Sequence, residues 1–400
     1  MKKIYFDYAA AAPVDPAVLR AMAPYFSERF GNPGSLHTFG QEAIAAVDHS
    51  RETIAKALGA DFRQIIFMGS ATEVNNLALR GAVRKFREAR KGNKEDRRTS
   101  PRVIVSAIEH ESVLETVKDL EREGTRVIRI PVNAEGVVDL KKIKESLTPG
   151  TAIVSIIYAN NEIGTIQPIS EIAKIIRDFR GKRQFPVSHT DAAQAFQFLD
   201  CNVDELGVDL MTISSHKIYG PKGTGALYVR DPGCLAALIS GGGQEFGLRS
   251  GTENVPAIVG FAKAVELCVA AREKESKRIT ALRDRLLSGI KKIAPDAEIN
   301  GPGDASRKLP NILNVYFPHR ATEDLLVKFD LAGLAVSAGS ACRSRALEPS
   351  YVIEALGHSR ERAKASIRVS LGRPTKGEEI EEALKAIKTA LKKGGRETFF

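Results

Sequence analysis

Short runs of apolar residues recur along the chain up to Val229, and segments with helical periodicity lie between them. A run that is apolar at nearly every position fits a strand buried on both faces, which is typical of a parallel sheet covered by helices. The runs are QIIF, RVIVS, TAIVSIIYA, FPVSHT, DLMTIS and GALYV. This alternation predicts an α/β fold with a mostly parallel sheet.

The segment SEIAKIIRDFRG shows the helical pattern that separates these runs. Its apolar residues fall on one face of a helix, and they are Ile172, Ile175, Ile176 and Phe179. We expect Ser170 to cap the amino terminus, because its hydroxyl can accept a hydrogen bond from a backbone N–H of the first turn. Gly181 is expected to end the helix.

The pattern changes in the last third of the chain. A helical stretch runs from about Val255 to Lys292, and the segments NILNVYF, DLLVKFDLAGL, AVSAG and SIRVSLG then alternate strand and helix. A chain of 400 residues is long for one core, so two domains are expected. We place the boundary near residues 255–260.

Charge and hydropathy narrow the class of protein. No apolar run is long enough to cross a bilayer. The start, MKKIYFDYAA, has two lysines, but Asp7 interrupts its apolar stretch, so we predict no signal peptide and a cytoplasmic protein. The formal net charge is +10, and much of the basic excess lies in residues 84–100, where acidic residues are interspersed. Such mixing favours a solvated helix end over a nucleic-acid patch, although an acidic protein or a tRNA-modifying partner stays open.

Polar residues follow five of the predicted strands directly. They are Thr72 after IIF, His110 after VIVSA, Asn161 after IVSIIYA, Asp191 and Gln194 after VSHT, and His216 and Lys217 after LMTIS. In an open α/β sheet, ligands bind at the carboxyl ends of the strands. Five such elements in succession predict a binding site at this edge.

Each element has an ordinary structural explanation beside a functional one. The segment GSATE is either a plain helix start or a phosphate site built from backbone N–H groups. Asp191 is either a cap or ion-pair partner, or the carboxylate that holds a protonated ring nitrogen. His110 is either a structural histidine or a ring that stacks and moves protons.

Lys217 decides between these alternatives. It follows a buried strand and precedes a confined loop with Gly220, Pro221, Gly223 and Gly225. A lysine there is either a surface residue or an amine with a lowered pKa that forms a Schiff base. A phosphate site at GSATE, a carboxylate for a ring nitrogen at Asp191 and a Schiff-base lysine at Lys217 are together typical of a pyridoxal phosphate site.

The cysteines are Cys201, Cys234, Cys268 and Cys342. None has CxxC spacing, so we expect neither a metal site nor a disulfide framework. Cys268 lies in a helical pattern and is predicted to be a core residue. Cys342 lies among small residues, with Arg343 and Arg345 close behind, in VSAGSACRSRALEPSYV. Nearby cations stabilise a thiolate, so Cys342 is the candidate nucleophile.

From YFDYAAAAPVDP to SIRVSLGRPT, the chain resembles the cysteine desulfurases. These are pyridoxal-phosphate enzymes of fold type I that are related to class V aminotransferases. The segments FGNPGSLHTFG, NNEIGTIQP, SSHKIYGPKGTGALYVR, LRSGTEN and GSACRSRALEPSYV carry the resemblance. It implies a large cofactor domain over residues 16–256. Residues 1–15 and 257–400 would form a smaller α+β domain that carries the catalytic cysteine.

The resemblance also implies a role for each site residue. Lys217 would carry the cofactor, Asp191 would pair with its ring nitrogen, and His110 would stack on the ring and assist proton transfer. Cys342 would accept sulfur as a persulfide while L-cysteine becomes L-alanine. The implied binding residues are Asn161 and Gln194 at the ring hydroxyl, Ala71, Thr72, Ser214 and His216 at the phosphate, Thr252 from the other subunit of a homodimer, and Asn161 and Arg368 at the substrate carboxylate. The sulfur would pass to an acceptor or scaffold protein for iron–sulfur cluster assembly or tRNA thiolation.

Some positions depart from the family, and other functions stay open. The family usually has threonines where this chain has Ala11 and Ala12, and it often has a threonine, a serine and a glycine at Met68, Gly69 and Ser70. A selenocysteine lyase would share nearly all the motifs. An aminotransferase would use the same lysine and aspartate without needing Cys342. A purely RNA-binding protein would not need Lys217, Asp191 and His110.

Overall fold

The computed structural model describes residues 3–90, 100–339 and 348–392. The strands are β1 (Ile4–Tyr5), β2 (Ile65–Met68), β3 (Arg102–Ser106), β4 (Arg126–Ile130), β5 (Thr151–Ser155), β6 (Val187–Asp191), β7 (Leu210–Ser214), β8 (Gly225–Val229), β9 (Glu298–Ile299), β10 (Ile312–Tyr316), β11 (Leu334–Ala335) and β12 (Ser366–Ser370). The helices are α1 (Pro16–Met22), α2 (Pro24–Ser27), α3 (Thr38–Leu58), α4 (Ala71–Asn76), α5 (Ala82–Ala89), α6 (Glu111–Arg122), α7 (Leu140–Ser146), α8 (Ile169–Arg180), α9 (Val203–Leu206), α10 (Val255–Ile293), α11 (Thr322–Leu331), α12 (Tyr351–Ala355), α13 (Arg360–Ala363) and α14 (Gly377–Lys392). A π-helical turn, Leu77–Gly81, joins α4 to α5.

The central sheet has seven strands in the order β2-β8-β7-β6-β5-β3-β4. Strand β8 is antiparallel to both neighbours, and the pairs from β7 to β4 are all parallel. Strand β2 therefore points the same way as β7. The predicted mostly parallel sheet is confirmed, and each of the six predicted runs contains one of its strands.

Side chains alternate between the two faces of this sheet, as the pleat of a strand requires. In β3, Val103 and Val105 enter one core cluster and Ile104 enters the cluster on the opposite face. Both faces are buried under helices. The central strands are therefore enclosed by core, and the buried polar side chains within them, such as His189 and Thr212, are hydrogen-bonded to each other.

A second core forms around the antiparallel sheet β12-β10-β9. Strand β1 pairs in parallel with β11, so the amino-terminal residues join the carboxyl-terminal part of the chain. Helix α10 contributes Val265 to the large core and Leu286 to the smaller one. The division into residues 16–256 against 1–15 and 257–400 stays a prediction.

Some local predictions differ from the structure. Helix α8 begins at Ile169, so Ser170 lies inside its first turn and is not the cap. Gly181 does end this helix, with a φ of 56°. Strand β4 was not predicted, because its Arg126 and Arg129 break the apolar run. The segment AVSAG contributes only Ala335 to strand β11.

A buried ion pair joins α3 to the segment before α10. The guanidinium of Arg51 donates to both carboxylate oxygens of Glu245, at 2.7 and 2.8 Å, and to the carbonyl of Ile65. Glu245 also accepts from the backbone N–H of Phe67 at 2.8 Å. A buried bidentate pair with further hydrogen bonds is geometrically specific. It fixes the segment that leads to Thr252 against the end of β2.

The basic segment 84–100 lies partly outside the described residues. In its described part, Arg84 pairs with Glu88 and Arg87 pairs with Glu123. These pairs fit the solvated helix end that the sequence favoured.

Candidate active site

Five strands of the central sheet, β2, β3, β5, β6 and β7, end at the same edge. The predicted convergence of polar elements is therefore present, because the strands point the same way. Direct hydrogen bonds join elements from different strands. Asn75, in the helix after β2, donates to Asp191 at the end of β6, and Arg368 donates to the backbone of Asn161 after β5.

Asp191 is buried, with 4% of its surface exposed. Its Oδ2 accepts from Asn75 Nδ2 at 2.8 Å, and its Oδ1 accepts from the backbone N–H of Ala193 at 2.9 Å. A buried charge is tolerated where hydrogen bonds satisfy it. The carboxylate is thus held in one orientation at the edge of the sheet, as a partner for a cation requires.

His110 caps the amino terminus of α6. Its Nδ1 accepts from the backbone N–H of Ser112 at 3.1 Å and lies 2.8 Å from the Ser112 hydroxyl. Because a backbone N–H donates to Nδ1, the ring hydrogen belongs on Nε2. Burial lowers the pKa of His110, Asp191 raises it, and Lys217 and Arg368 lower it. The ring is therefore neutral near pH 7, with these three charges around it.

Lys217 lies in a short turn directly after β7. Its Nζ donates to the carbonyls of Ala9 and Ala10 at 2.7 and 2.8 Å, so it is not a surface lysine. Gln194 Nε2 donates to the same Ala9 carbonyl at 2.8 Å. The turn requires Gly220, because a side-chain carbon there would lie 2.1 Å from the Ser215 hydroxyl.

The expected phosphate residues lie at the start of α4 and after β7. Ala71 and Thr72 open the helix, so their N–H groups have no acceptor within it. A side-chain carbon at Gly225 would lie 3.1 Å from the Ala71 nitrogen, so glycine keeps this space open. The Ser214 hydroxyl lies 3.0 Å from His216 Nδ1. Burial, then Lys217, lowers the pKa of His216 to about 4, so this ring is neutral.

Arg368 and Asn161 leave polar atoms without partners. Arg368 is 1% exposed; its Nη1 donates to the Asn161 carbonyl at 3.1 Å and its Nη2 to Asp7 Oδ1 at 2.8 Å. Arg368 Nε and Asn161 Oδ1 are buried and have no hydrogen-bond partner among the described residues. An unpaired buried donor or acceptor is costly, so such atoms mark a place for a polar ligand.

Cys342, Arg343 and Arg345 lie outside the described residues. Residues on either side of this stretch contact one carboxylate. Ser350 Oγ donates to Glu162 Oε2 at 2.5 Å, and a side-chain carbon at Gly339 would lie 2.9 Å from the same oxygen. Gly339 has a φ of 91°, which favours glycine. Ser337 pairs through its backbone with Arg368, so the chain enters this stretch next to the site.

The other cysteines are buried. Burial raises the pKa of Cys201 and of Cys234 to about 12 and that of Cys268 to about 11. Cys268 is 2% exposed, which confirms its predicted place in the core. Because the thiolate is the reactive form, these three thiols are poor nucleophiles near neutral pH.

Thr252 is exposed in the single chain. It lines a cavity of about 140 Å³ together with Gly69, Thr224 and Arg249. Gly69 directly precedes the Ser70 cap of α4. The expected contact of Thr252 with a phosphate of the other subunit stays a prediction.

The structure brings several residues to the site that could not be identified from the sequence. Asn75 and Ser112 join Asp191 to His110, and Asp7 pairs with Arg368. Asn75 and Asn76 are adjacent in the sequence, and only the rotation of the helix separates the buried one from the other. Asp7 and Arg368 are 361 positions apart, so local sequence could not pair them.

This set of groups fits pyridoxal phosphate. The fit rests on a buried carboxylate for the ring nitrogen at Asp191, an interior amine at Lys217 and a neutral ring at His110. The helix start at Ala71 offers N–H groups to a phosphate. The unpaired Nε of Arg368 can donate to a carboxylate, and the unpaired Oδ1 of Asn161 can accept from a hydroxyl. These residues are the ones that would hold the cofactor and an amino-acid substrate.

Comparison with known proteins agrees with this geometry. A cysteine desulfurase IscS of Dictyoglomus turgidum is 43% identical, over 98% of this chain and 95% of its own length. The solved structure of a NifS-like protein has a TM-score of 0.87 and 35% identity, and the match covers 98% of this chain and 99% of that one. SspA in complex with cysteine has a TM-score of 0.76 and 36% identity, over 92% of this chain and 99% of its own.

The family model for class-V aminotransferases matches residues 4–383. That match spans nearly the whole chain, from strand β1 into helix α14. The chain belongs to the class-V aminotransferase family.

Proposed function

We propose that this protein is a pyridoxal-phosphate-dependent cysteine desulfurase, which converts L-cysteine to L-alanine and keeps the sulfur as a persulfide on Cys342. The observation that carries the proposal is the meeting of Lys217, Asp191 and His110 at one edge of the sheet. The unpaired atoms of Arg368 and Asn161 beside them support an amino-acid substrate. The similarity to IscS and to SspA with cysteine supports cysteine in particular.

The residues divide the chemistry between them. When bound, pyridoxal phosphate supplies an electron sink that makes the hydrogen on the substrate α-carbon acidic. Asp191 would face its ring nitrogen, and Lys217 would hold the cofactor and then move a proton at the α-carbon. His110, neutral with its hydrogen on Nε2, would stack on the ring. Arg368 would hold the substrate carboxylate.

The sulfur step belongs to Cys342. Its thiolate would attack the substrate sulfur, so that an S–S bond forms and the C–S bond breaks. The carbon takes the electron pair of the broken bond and a proton, and alanine leaves. The raised pKa values of Cys201, Cys234 and Cys268 support this choice, because those thiols are protonated near pH 7.

A selenocysteine lyase is the alternative that shares nearly all of these residues. Relative rates with cysteine and selenocysteine distinguish the two. An aminotransferase would pass the amino group to a keto acid, which is measured directly. An aminotransferase has no need of Cys342, whose flanking residues contact Glu162 and pair with Arg368.

The protein that receives the sulfur from Cys342 is a separate part of the proposal. We expect an acceptor or scaffold protein for iron–sulfur cluster assembly or tRNA thiolation. The pairing of Arg84 and Arg87 with glutamates argues against direct RNA binding by that part of the surface. Within the described residues, no helix is both long and apolar enough to cross a membrane. The cytoplasmic location stays a prediction from the sequence.

A homodimer is expected, since Thr252 would complete the phosphate site of the other subunit. Large apolar side chains between α1 and α3 support it: Phe30 is 66% exposed and Leu36 is 93% exposed. Apolar side chains clustered at the surface mark interaction sites. Light scattering should give twice the chain mass of 43.4 kDa. A single-chain mass across the micromolar range would contradict the dimer.

Replacing Lys217 tests the proposed function. Lys217→Ala should lower the rate of alanine formation from cysteine by at least about 10²- to 10⁴-fold, because the amine that moves the proton is lost. The measurement is alanine and sulfide released by the purified, cofactor-loaded protein. Lys222→Ala, in the same loop but exposed, is the matched control and should keep full activity. A wild-type protein that takes up no pyridoxal phosphate would refute the proposal.

Replacing Cys342 separates sulfur transfer from cofactor chemistry. Cys342→Ala should still bind the cofactor and change its visible absorbance on adding cysteine, because that step needs Lys217 and Asp191. It should form no persulfide, because no thiolate takes the sulfur. Mass spectrometry should find the added sulfur on the wild-type peptide with Cys342. Persulfide on Cys201, or full turnover in Cys342→Ala, would show that the nucleophile lies elsewhere.

Arg368→Lys tests recognition of the carboxylate. Lysine keeps the charge but loses the planar fork, so a charge-assisted hydrogen bond of about 1.5–3 kcal/mol is weakened. We expect the KM for cysteine to rise about 10- to 100-fold while the cofactor absorbance is unchanged. Arg362→Lys, whose guanidinium pairs with Glu298, is the control. Equal KM values in the two variants would exclude Arg368 from the site.

A further inference from the structure

The side-chain amide of Asn75 makes three hydrogen bonds, which use both of its N–H groups and its oxygen, and each one leads to a different element. It is 0% exposed. Its Nδ2 donates to Asp191 Oδ2 at 2.8 Å and to the Ser112 hydroxyl at 2.7 Å. Its Oδ1 accepts from the Thr212 hydroxyl at 2.7 Å. The amide cannot turn over, because that would put its oxygen against the carboxylate of Asp191.

These contacts fix the direction of a longer chain of hydrogen bonds. Thr212 uses its single hydrogen on Asn75, so it must accept from His189 Nε2, which lies 2.9 Å away. His189 Nδ1 is then unprotonated and accepts from the Ser155 hydroxyl at 2.8 Å. Burial lowers the pKa of His189 to about 4, so the ring stays neutral. Each group in the chain therefore donates to the next, and the chain runs from Ser155 through His189, Thr212 and Asn75 to Asp191.

A second branch leads to His110. The Ser112 hydroxyl accepts from Asn75, so its own hydrogen is left for His110 Nδ1 at 2.8 Å. The backbone N–H of Ser112 donates to the same nitrogen. His110 Nδ1 thus receives two donors, and its hydrogen is confined to Nε2. The orientation of one amide therefore aims a donor at Asp191 and, through the Ser112 hydroxyl, adds a second donor at His110 Nδ1 to the backbone N–H of Ser112.

We propose that Asn75 is the positioning residue that couples the ring-nitrogen carboxylate Asp191 to the stacking ring of His110. This inference rests on the proposed function for the roles of those two residues. Asn75 touches neither the substrate nor the cofactor in this role. It acts by holding the carboxylate at the end of β6 and, through Ser112, the ring that follows β3 in fixed hydrogen-bond geometry.

Asn75→Asp is the sharpest test, since it replaces the amide by a group of the same shape. Two carboxylates about 3 Å apart cannot both ionise, so Asp191 would share a proton with the new residue. Ser112 would turn its hydrogen toward the new carboxylate, and His110 Nδ1 would lose one donor. We expect kcat to fall about 10- to 100-fold with little change in the KM for cysteine.

Two further readouts separate positioning from simple loss of structure. The pH midpoint of the bound cofactor's visible absorbance should shift by at least about one unit. In the cofactor-free protein, nitrogen-15 NMR should show the His110 hydrogen on Nε2 in the wild type and a shifted Nδ1 resonance in Asn75→Asp, because Nδ1 loses one of its two donors. The charged groups that act on this ring are Asp191, Lys217, Glu111 and Arg368, and the variant keeps all four residues.

Asn76→Asp is the matched control. Asn76 lies on the same helix and contacts Arg80 and the Thr72 carbonyl instead. If Asn75→Asp fails to fold, Ser112→Ala is the second variant, because it removes the hydroxyl through which Asn75 acts on His110 Nδ1. A kcat, an absorbance midpoint and a His110 Nδ1 resonance that all stay equal to those of the control would overturn the proposal. If the wild-type protein forms no alanine from cysteine, the proposed function is refuted. A changed absorbance midpoint and a changed His110 Nδ1 resonance in Asn75→Asp would still support the coupling.

Discussion

The carboxylate of Asp191, buried at the end of β6, is the group on which the other site residues depend. Burying a charge costs several kcal/mol unless hydrogen bonds or an opposite charge compensate. Here the compensation comes from the Asn75 amide and the Ala193 N–H. The helix that carries Asn75 must therefore start directly after β2. The common direction of the parallel strands provides this, and it also brings His110 and Lys217 to the same edge.

The amino-terminal segment connects the two halves of the site. Ala9 and Ala10 accept from Lys217 through their carbonyls, and Asp7 pairs with Arg368. Backbone carbonyls do not depend on side-chain type, which is why an alanine-rich stretch can do this. The same segment pairs with β11 of the smaller sheet. A shift between the two cores would therefore move the lysine contact and the arginine contact together.

The local sequence pattern predicted most strands and the long helix, because their formation depends mainly on the order of apolar and polar residues within each segment. Most of the six predicted strands were found because they are largely apolar, as in β2, β5 and β8, and α10 was found from its long helical period. Strand β4 was not predicted because it lies at the sheet edge, where Arg126 and Arg129 reach solvent and interrupt the apolar pattern. The candidate residues after the strands were found by position alone. The partners of those residues were not: the choice between Asn75 and Asn76 depends on helix rotation, and the pairing of Asp7 with Arg368 depends on the whole fold.

The distribution of thiols follows from the same enclosed core. Cys201, Cys234 and Cys268 all lie where burial holds the proton on sulfur, so the apolar core that stabilises the fold also makes them unreactive. A sulfur-accepting cysteine must be a thiolate and must reach both the substrate and an outside acceptor. Cys342 is proposed for this role, and the described residues that flank its stretch contact Glu162 and pair with Arg368. Those flanks lie beside the proposed carboxylate site, so the stretch with Cys342 begins and ends close to where the substrate sulfur would be held.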